Sequence, residues 1–94
     1  METTIRKRFV ISIPEGLHLR PASLLTRAVE HFDCVITICR DGCEADAKSP
    51  LSMVLLEADF GKAVMVVARG YDAVPAMVAI TDLFDSGFCC GTGR

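Results

Sequence analysis

From Gly16 to Phe32 the sequence reads Gly-Leu-His-Leu-Arg-Pro-Ala-Ser-Leu-Leu-Thr-Arg-Ala-Val-Glu-His-Phe. Within it Ala22, Leu25, Val29 and Phe32 recur at spacings of three and four, one apolar stripe of an amphipathic helix from Arg20 to Phe32. Pro21 suits the first turn, where its missing N–H leaves no bond unmade. On either side the period shortens to two. Phe9, Ile11 and Ile13 alternate with Val10 and Ser12 until Pro14-Glu15-Gly16 breaks the run, and Cys34, Ile36 and Ile38 resume it afterwards. A helix between two such strands is the opening of a layered α/β arrangement.

The remaining chain continues the alternation. Asp41-Gly42 is a hairpin signal, and Cys43 to Ala47 is the returning strand. Ser49-Pro50 joins an N-cap to a first-turn proline and opens a short helix ending near Leu56. After a turn at Gly61, Ala63 to Ala68 is apolar enough for a strand buried on both faces or nearly so. Asp72 caps a last helix with Pro75 in its first turn, Met77, Ile80 and Phe84 as its stripe, and Gly87 as its stop. The predicted order is β-α-β-β-α-β-α, an α+β domain of four strands and three helices. One-sided helical stripes place the helices on one face of the sheet. The domain is expected to span 1–88, with Cys89 to Arg94 as a loose tail.

Composition narrows the function. Ninety-four residues allow one core and no second domain. With 51% hydrophobic and 23% charged residues, and only seven glycines and four prolines, the chain is not a disordered one. Its mean hydropathy is +0.39, yet no apolar run approaches the roughly 18–20 residues that cross a bilayer. The start, Met1 to Phe9, lacks the apolar stretch of an export signal, so the expected setting is the cytoplasm without membrane insertion. A net charge of −2 argues against nucleic acid, and Arg6-Lys7-Arg8 reads as the polar start of the first strand. The five cysteines Cys34, Cys39, Cys43, Cys89 and Cys90 show no CxxC spacing and no nearby histidine pair. They are expected to be reduced thiols, with no metal and no cofactor.

The chemistry gathers where the loop becomes the first helix. A helix's first turn presents unpaired backbone N–H groups and a partial positive charge, a cradle for phosphate. Leu19 and Arg20 offer such N–H groups, whereas Pro21 shapes the turn and offers none. The Arg20 guanidinium adds a permanent positive charge suited to phosphate oxygens. The same field disfavours an imidazolium and favours His18 as a neutral nucleophile. Gly16 permits the backbone turn that points the ring to solvent. A neutral, exposed imidazole beside an anion cradle is what a phosphohistidine requires.

Gly16-Leu17-His18-Leu19-Arg20-Pro21-Ala22 closely resembles the active-site signature of the HPr family, the histidine-containing phosphocarriers of the phosphoenolpyruvate-dependent sugar phosphotransferase system (PTS). The resemblance runs over residues 5 to 88, with Asp41-Gly42, Lys48-Ser49 and Gly61-Lys62 in matching places. It implies an open-faced β-sandwich: a four-stranded antiparallel sheet with three helices on one face. It implies that His18 accepts a phosphoryl group on Nδ1 from phosphorylated Enzyme I and donates it to an EIIA domain, with Arg20 orienting and neutralising the group. Such a protein is a carrier and not a turnover enzyme, and a monomer is expected. The family's docking surface implies exposed apolar residues near His18, for which Leu17, Leu19, Leu51, Met53, Val54, Leu55 and Leu56 are the candidates. Ser49 is both a helix cap and, by resemblance, a candidate regulatory phosphosite for HPr kinase. Two alternatives stand beside sugar uptake: a regulatory carrier of the nitrogen-related or permease-lacking type, and an HPr-like regulatory protein that binds without transferring phosphate.

Overall fold

The computed structural model describes residues 2–88, so Cys89, Cys90 and the expected tail lie outside the described residues. Four strands, β1 (Thr3–Val10), β2 (Cys34–Arg40), β3 (Cys43–Asp46) and β4 (Ala63–Gly70), form one antiparallel sheet in the order β1-β4-β2-β3. The helices are α1 (Leu19–Val29), α2 (Pro50–Leu55) and α3 (Ala73–Asp85). β4 is the hub, pairing Phe9 with Val64 on one side and Ile36 with Ala68 on the other. The hairpin between β2 and β3 turns through Asp41 and Gly42, both at positive φ (50° and 83°), as the turn that follows strand twist requires.

One face of the sheet is covered and the other is open. Phe9, Cys34, Ile36, Ile38, Ala45, Val64, Val66 and Ala68 point into the core, where Ala22, Leu25 and Val29 of α1 and Ala76, Met77, Ile80 and Phe84 of α3 meet them. The expectation that Ala63 to Ala68 is buried on both faces or nearly so fails: Val64, Val66 and Ala68 are buried, Met65 is exposed, and Ala63 and Val67 are half-buried. All three helices lie on one side, which leaves the other face to solvent. Along the inner face Phe84 stacks on Phe9, with centroids 4.3 Å apart, and Phe88 meets the Phe84 ring edge-on at 4.8 Å.

Some element ends and one cap differ from the sequence reading. β1 starts earlier, taking Arg6-Lys7-Arg8 into its middle, and stops at Val10; Ile11 and Ile13 stay buried in the following loop. There Ile11 exchanges backbone bonds with Lys62 and Gly61, 2.8 Å each. α1 stops at Val29, and Phe32 lies half-buried beyond it, its carbonyl held by Lys48 Nζ at 2.7 Å. Asp72 does precede α3, but its carboxylate does not cap that helix. It accepts instead from the Asp33 N–H at 2.7 Å, tying the start of β2 to the end of β4.

Candidate functional site

The segment before α1 is held by backbone bonds. Gly16 N–H donates to Ile13 at 2.9 Å, Leu17 N–H to Ala58 at 3.0 Å, and His18 N–H to Gly16 at 2.8 Å. Gly16 has φ +79°, a left-handed conformation that glycine adopts at little cost. A Cβ there would lie 3.1 Å from the Ala58 carbonyl oxygen, so close approach and backbone angle both call for glycine. This turn delivers His18 to the N-cap of α1 (φ −81°, ψ −172°), exposed and with its side chain in no capping bond. The first helical bond runs from Ala22 N–H to the His18 carbonyl at 2.9 Å. The N–H groups of Leu19 and Arg20 therefore precede the intrahelical ladder and lie at the positive end of the helix. Pro21 is in the first turn, buried, as the sequence suggests.

Arg20 is already engaged. Nη2 donates to Glu15 Oε2 at 2.8 Å, and Nη1 donates to the carbonyl of Phe88 at 3.1 Å. The Glu15 carboxyl is held below its usual range, chiefly by the hydrogen bond from Arg20 and then by a backbone N–H. Sequence reasoning passed over both partners. Glu15 had a visible signal, a carboxylate five residues before an arginine across a turn, whereas Phe88 is 68 residues away. A cleft of about 520 Å³ lies beside the imidazole, between Leu17, His18 and Leu19 on one side and Val54, Glu57, Ala58 and Asp59 on the other.

The apolar candidates divide sharply. Leu19, Leu51 and Leu55 are 56%, 68% and 81% exposed, and Val54 is partly buried. Leu17, Met53 and Leu56 are buried, which corrects their assignment to a docking patch. The reason is helical geometry: Met53 and Leu56, three apart, fall on the core side of α2, and Leu51 and Leu55, four apart, fall on the other. Leu17 belongs to the buried core, and its backbone N–H bonds to the Ala58 carbonyl. Ser49 caps α2, its Oγ accepting from Ser52 N–H at 3.4 Å, and Ser52 Oγ in turn accepts from Asp46 N–H at 3.0 Å.

Of the described cysteines, Cys34 is buried in the core, Cys39 is half-buried and Cys43 exposed, all as free thiols. Burial pushes the Cys34 and Cys39 thiols up. Among the described residues no three His, Cys, Asp or Glu side chains converge as a metal site, and no helix is long and apolar enough to cross a membrane.

Known proteins share both sequence and architecture with this chain. A family model described as the PTS HPr component phosphorylation site matches residues 5–86. The phosphocarrier protein HPr of Treponema pallidum is 37% identical over 73 residues, covering 78% of this chain and 83% of the relative. The phosphocarrier protein NPr of Shewanella violacea is 35% identical over 86 residues, covering 92% and 94%. The crystal structure of HPr-C-His from Thermoanaerobacter tengcongensis superposes with a TM-score of 0.85 at 31% identity, covering 89% of this chain and 94% of that one. Since the match takes in nearly the whole chain, in sequence and in the path of the backbone alike, the protein belongs to the HPr family of PTS phosphocarriers.

Proposed function

We propose that this protein accepts a phosphoryl group on Nδ1 of His18 from phospho-Enzyme I and passes it to an EIIA domain in PTS sugar uptake. The observation that carries the reading is the exposed His18 imidazole at the start of α1, its side chain in no capping bond. The Nδ1 lone pair attacks phosphorus while Nε2 keeps its proton. The donor's bond to phosphorus breaks and its electron pair returns to the donor, so neither water nor cofactor is consumed. Transfer to EIIA repeats the exchange with His18 as the leaving group. The backbone N–H groups of Leu19 and Arg20 and the Arg20 guanidinium meet the incoming charge. Leu19, Leu51 and Leu55, with Val54, offer the apolar surface on which the two partners dock in turn.

A regulatory carrier of the nitrogen-related type is the second reading, favoured by relatives named NPr that align over about nine-tenths of the chain. Ser49 serves as the α2 cap, and its phosphorylation by HPr kinase is a further proposal that intact mass after incubation with kinase and ATP would test.

Incubation with labelled phosphoenolpyruvate and Enzyme I is expected to put acid-labile phosphate on the wild type and none on His18→Ala. Absence of label on the wild type would overturn the carrier reading. Supplying the sugar-system and nitrogen-system Enzymes I separately decides between the two readings by which one loads His18 faster.

A further inference from the structure

The arginine beside His18 has an anionic partner before any phosphoryl group arrives. The chain reverses at Gly16, whose N–H bonds back to the Ile13 carbonyl at 2.9 Å, and Glu15 in that reversal lies 2.8 Å from the Arg20 guanidinium. Both side chains of the pair are about half exposed, at 53% and 42%, so the guanidinium can change partners without unpacking the core. A phosphoryl group brings a charge of about −1.5 to −2 and three acceptor oxygens. Arg20 cannot lose its own charge, so a new anion and the old one draw on the same single guanidinium cation.

We propose that Glu15 is a positioning residue which competes with the phosphoryl group of phospho-His18 for the Arg20 guanidinium, and so lowers the share of the protein that is phosphorylated at equilibrium. The proposal rests on the carrier reading. It follows that Glu15→Gln, which keeps the shape and removes the charge, favours the phosphorylated form. Exposed ion pairs shift such a competition by about two- to five-fold.

The test is a double-mutant cycle on the full chain: wild type, Glu15→Gln, Arg20→Ala and the double variant. Each is brought to equilibrium with Enzyme I over a range of phosphoenolpyruvate to pyruvate ratios, and the phosphorylated fraction is read by intact mass. Glu15→Gln is expected to raise the ratio of phosphorylated to free protein by about two- to five-fold. Without Arg20 the same substitution is expected to do less than half as much. In wild type the Arg20 Nε–H resonance is expected to move on phosphorylation, and in unphosphorylated Glu15→Gln to be displaced already. An unchanged ratio in Glu15→Gln overturns the proposal, as does an equal gain without Arg20, which would make Glu15 only a neighbouring charge. A wild type that gains no phosphoryl group overturns the carrier reading itself, a result separate from either of these.

Discussion

Replacing Gly16 by alanine tests whether the turn before α1 is what presents His18. At φ +79° a side chain costs roughly 1–2 kcal/mol in backbone energy. The added Cβ would stand 3.1 Å from the Ala58 carbonyl oxygen and 3.2 Å from Asp59 Cα, and neither backbone neighbour can swing aside as a side chain would. Relieving that contact stretches the 3.0 Å bond from Leu17 N–H to Ala58, worth about 0.5–1.5 kcal/mol. The total is about 1.5–3.5 kcal/mol, which at about 4–8 °C per kcal/mol lowers Tm by roughly 6–28 °C. Gly61→Ala is the internal control: φ is +85°, but nothing lies within 4 Å of its Cβ, so only the backbone term of about 1–2 kcal/mol remains. Urea unfolding followed by circular dichroism gives both values, and the rate of labelling by phospho-Enzyme I gives the functional effect. Gly16→Ala is expected to be less stable than Gly61→Ala by about 1 kcal/mol and to be the slower phosphoacceptor. Equal losses for the two variants would refute the close approach, and a wild-type labelling rate in Gly16→Ala would refute the role of the turn.

Two further outcomes follow from the division of α2 and from the ion pair. Leu51→Ala and Leu55→Ala are expected to change stability by no more than about 0.5 kcal/mol while raising the KM for Enzyme I several-fold, whereas Met53→Ala loses about 2–5 kcal/mol. Unfolding curves and transfer kinetics check this together, and an unaltered KM in both leucine variants would move the docking surface elsewhere. Because the folded state holds the Glu15 carboxyl below its usual range, the pair's contribution is present above that range and is lost as pH falls through the lower, folded value. Carboxyl carbon NMR is expected to find Glu15 titrating low in wild type and moving up in Arg20→Ala; a midpoint indifferent to Arg20 would show that the hydrogen bond does not hold it.

Much of the fold was legible because its signals are local. The stripe of Ala22, Leu25 and Val29 needs only a 3.6-residue period, and the Asp41-Gly42 turn needs only residues that accept positive φ. Ser49 before Pro50 carries its own capping chemistry. Burial was harder, since it depends on which surfaces meet. β4 looked fit to be covered on both sides, and the helices cover only one. Along α2 and its C-cap the apolar residues are alike in type, and only packing on the core separates Met53 and Leu56, buried, from Leu51 and Leu55, exposed.

The same distinction applies to the site. By itself the sequence determined that His18 stands at a helix start with Arg20 two residues on, because helix-start chemistry is written in adjacent residues. Only the tertiary structure decided that Arg20 reaches the Phe88 carbonyl. Its bond to the Phe88 carbonyl goes with the packing beyond α3, where Phe84 of that helix stacks on Phe9 and Phe88 meets the Phe84 ring edge-on. Such a contact joins residues far apart in the chain: the period of α3 marks Phe84 as a core residue, but no local signal says which distant residues it meets.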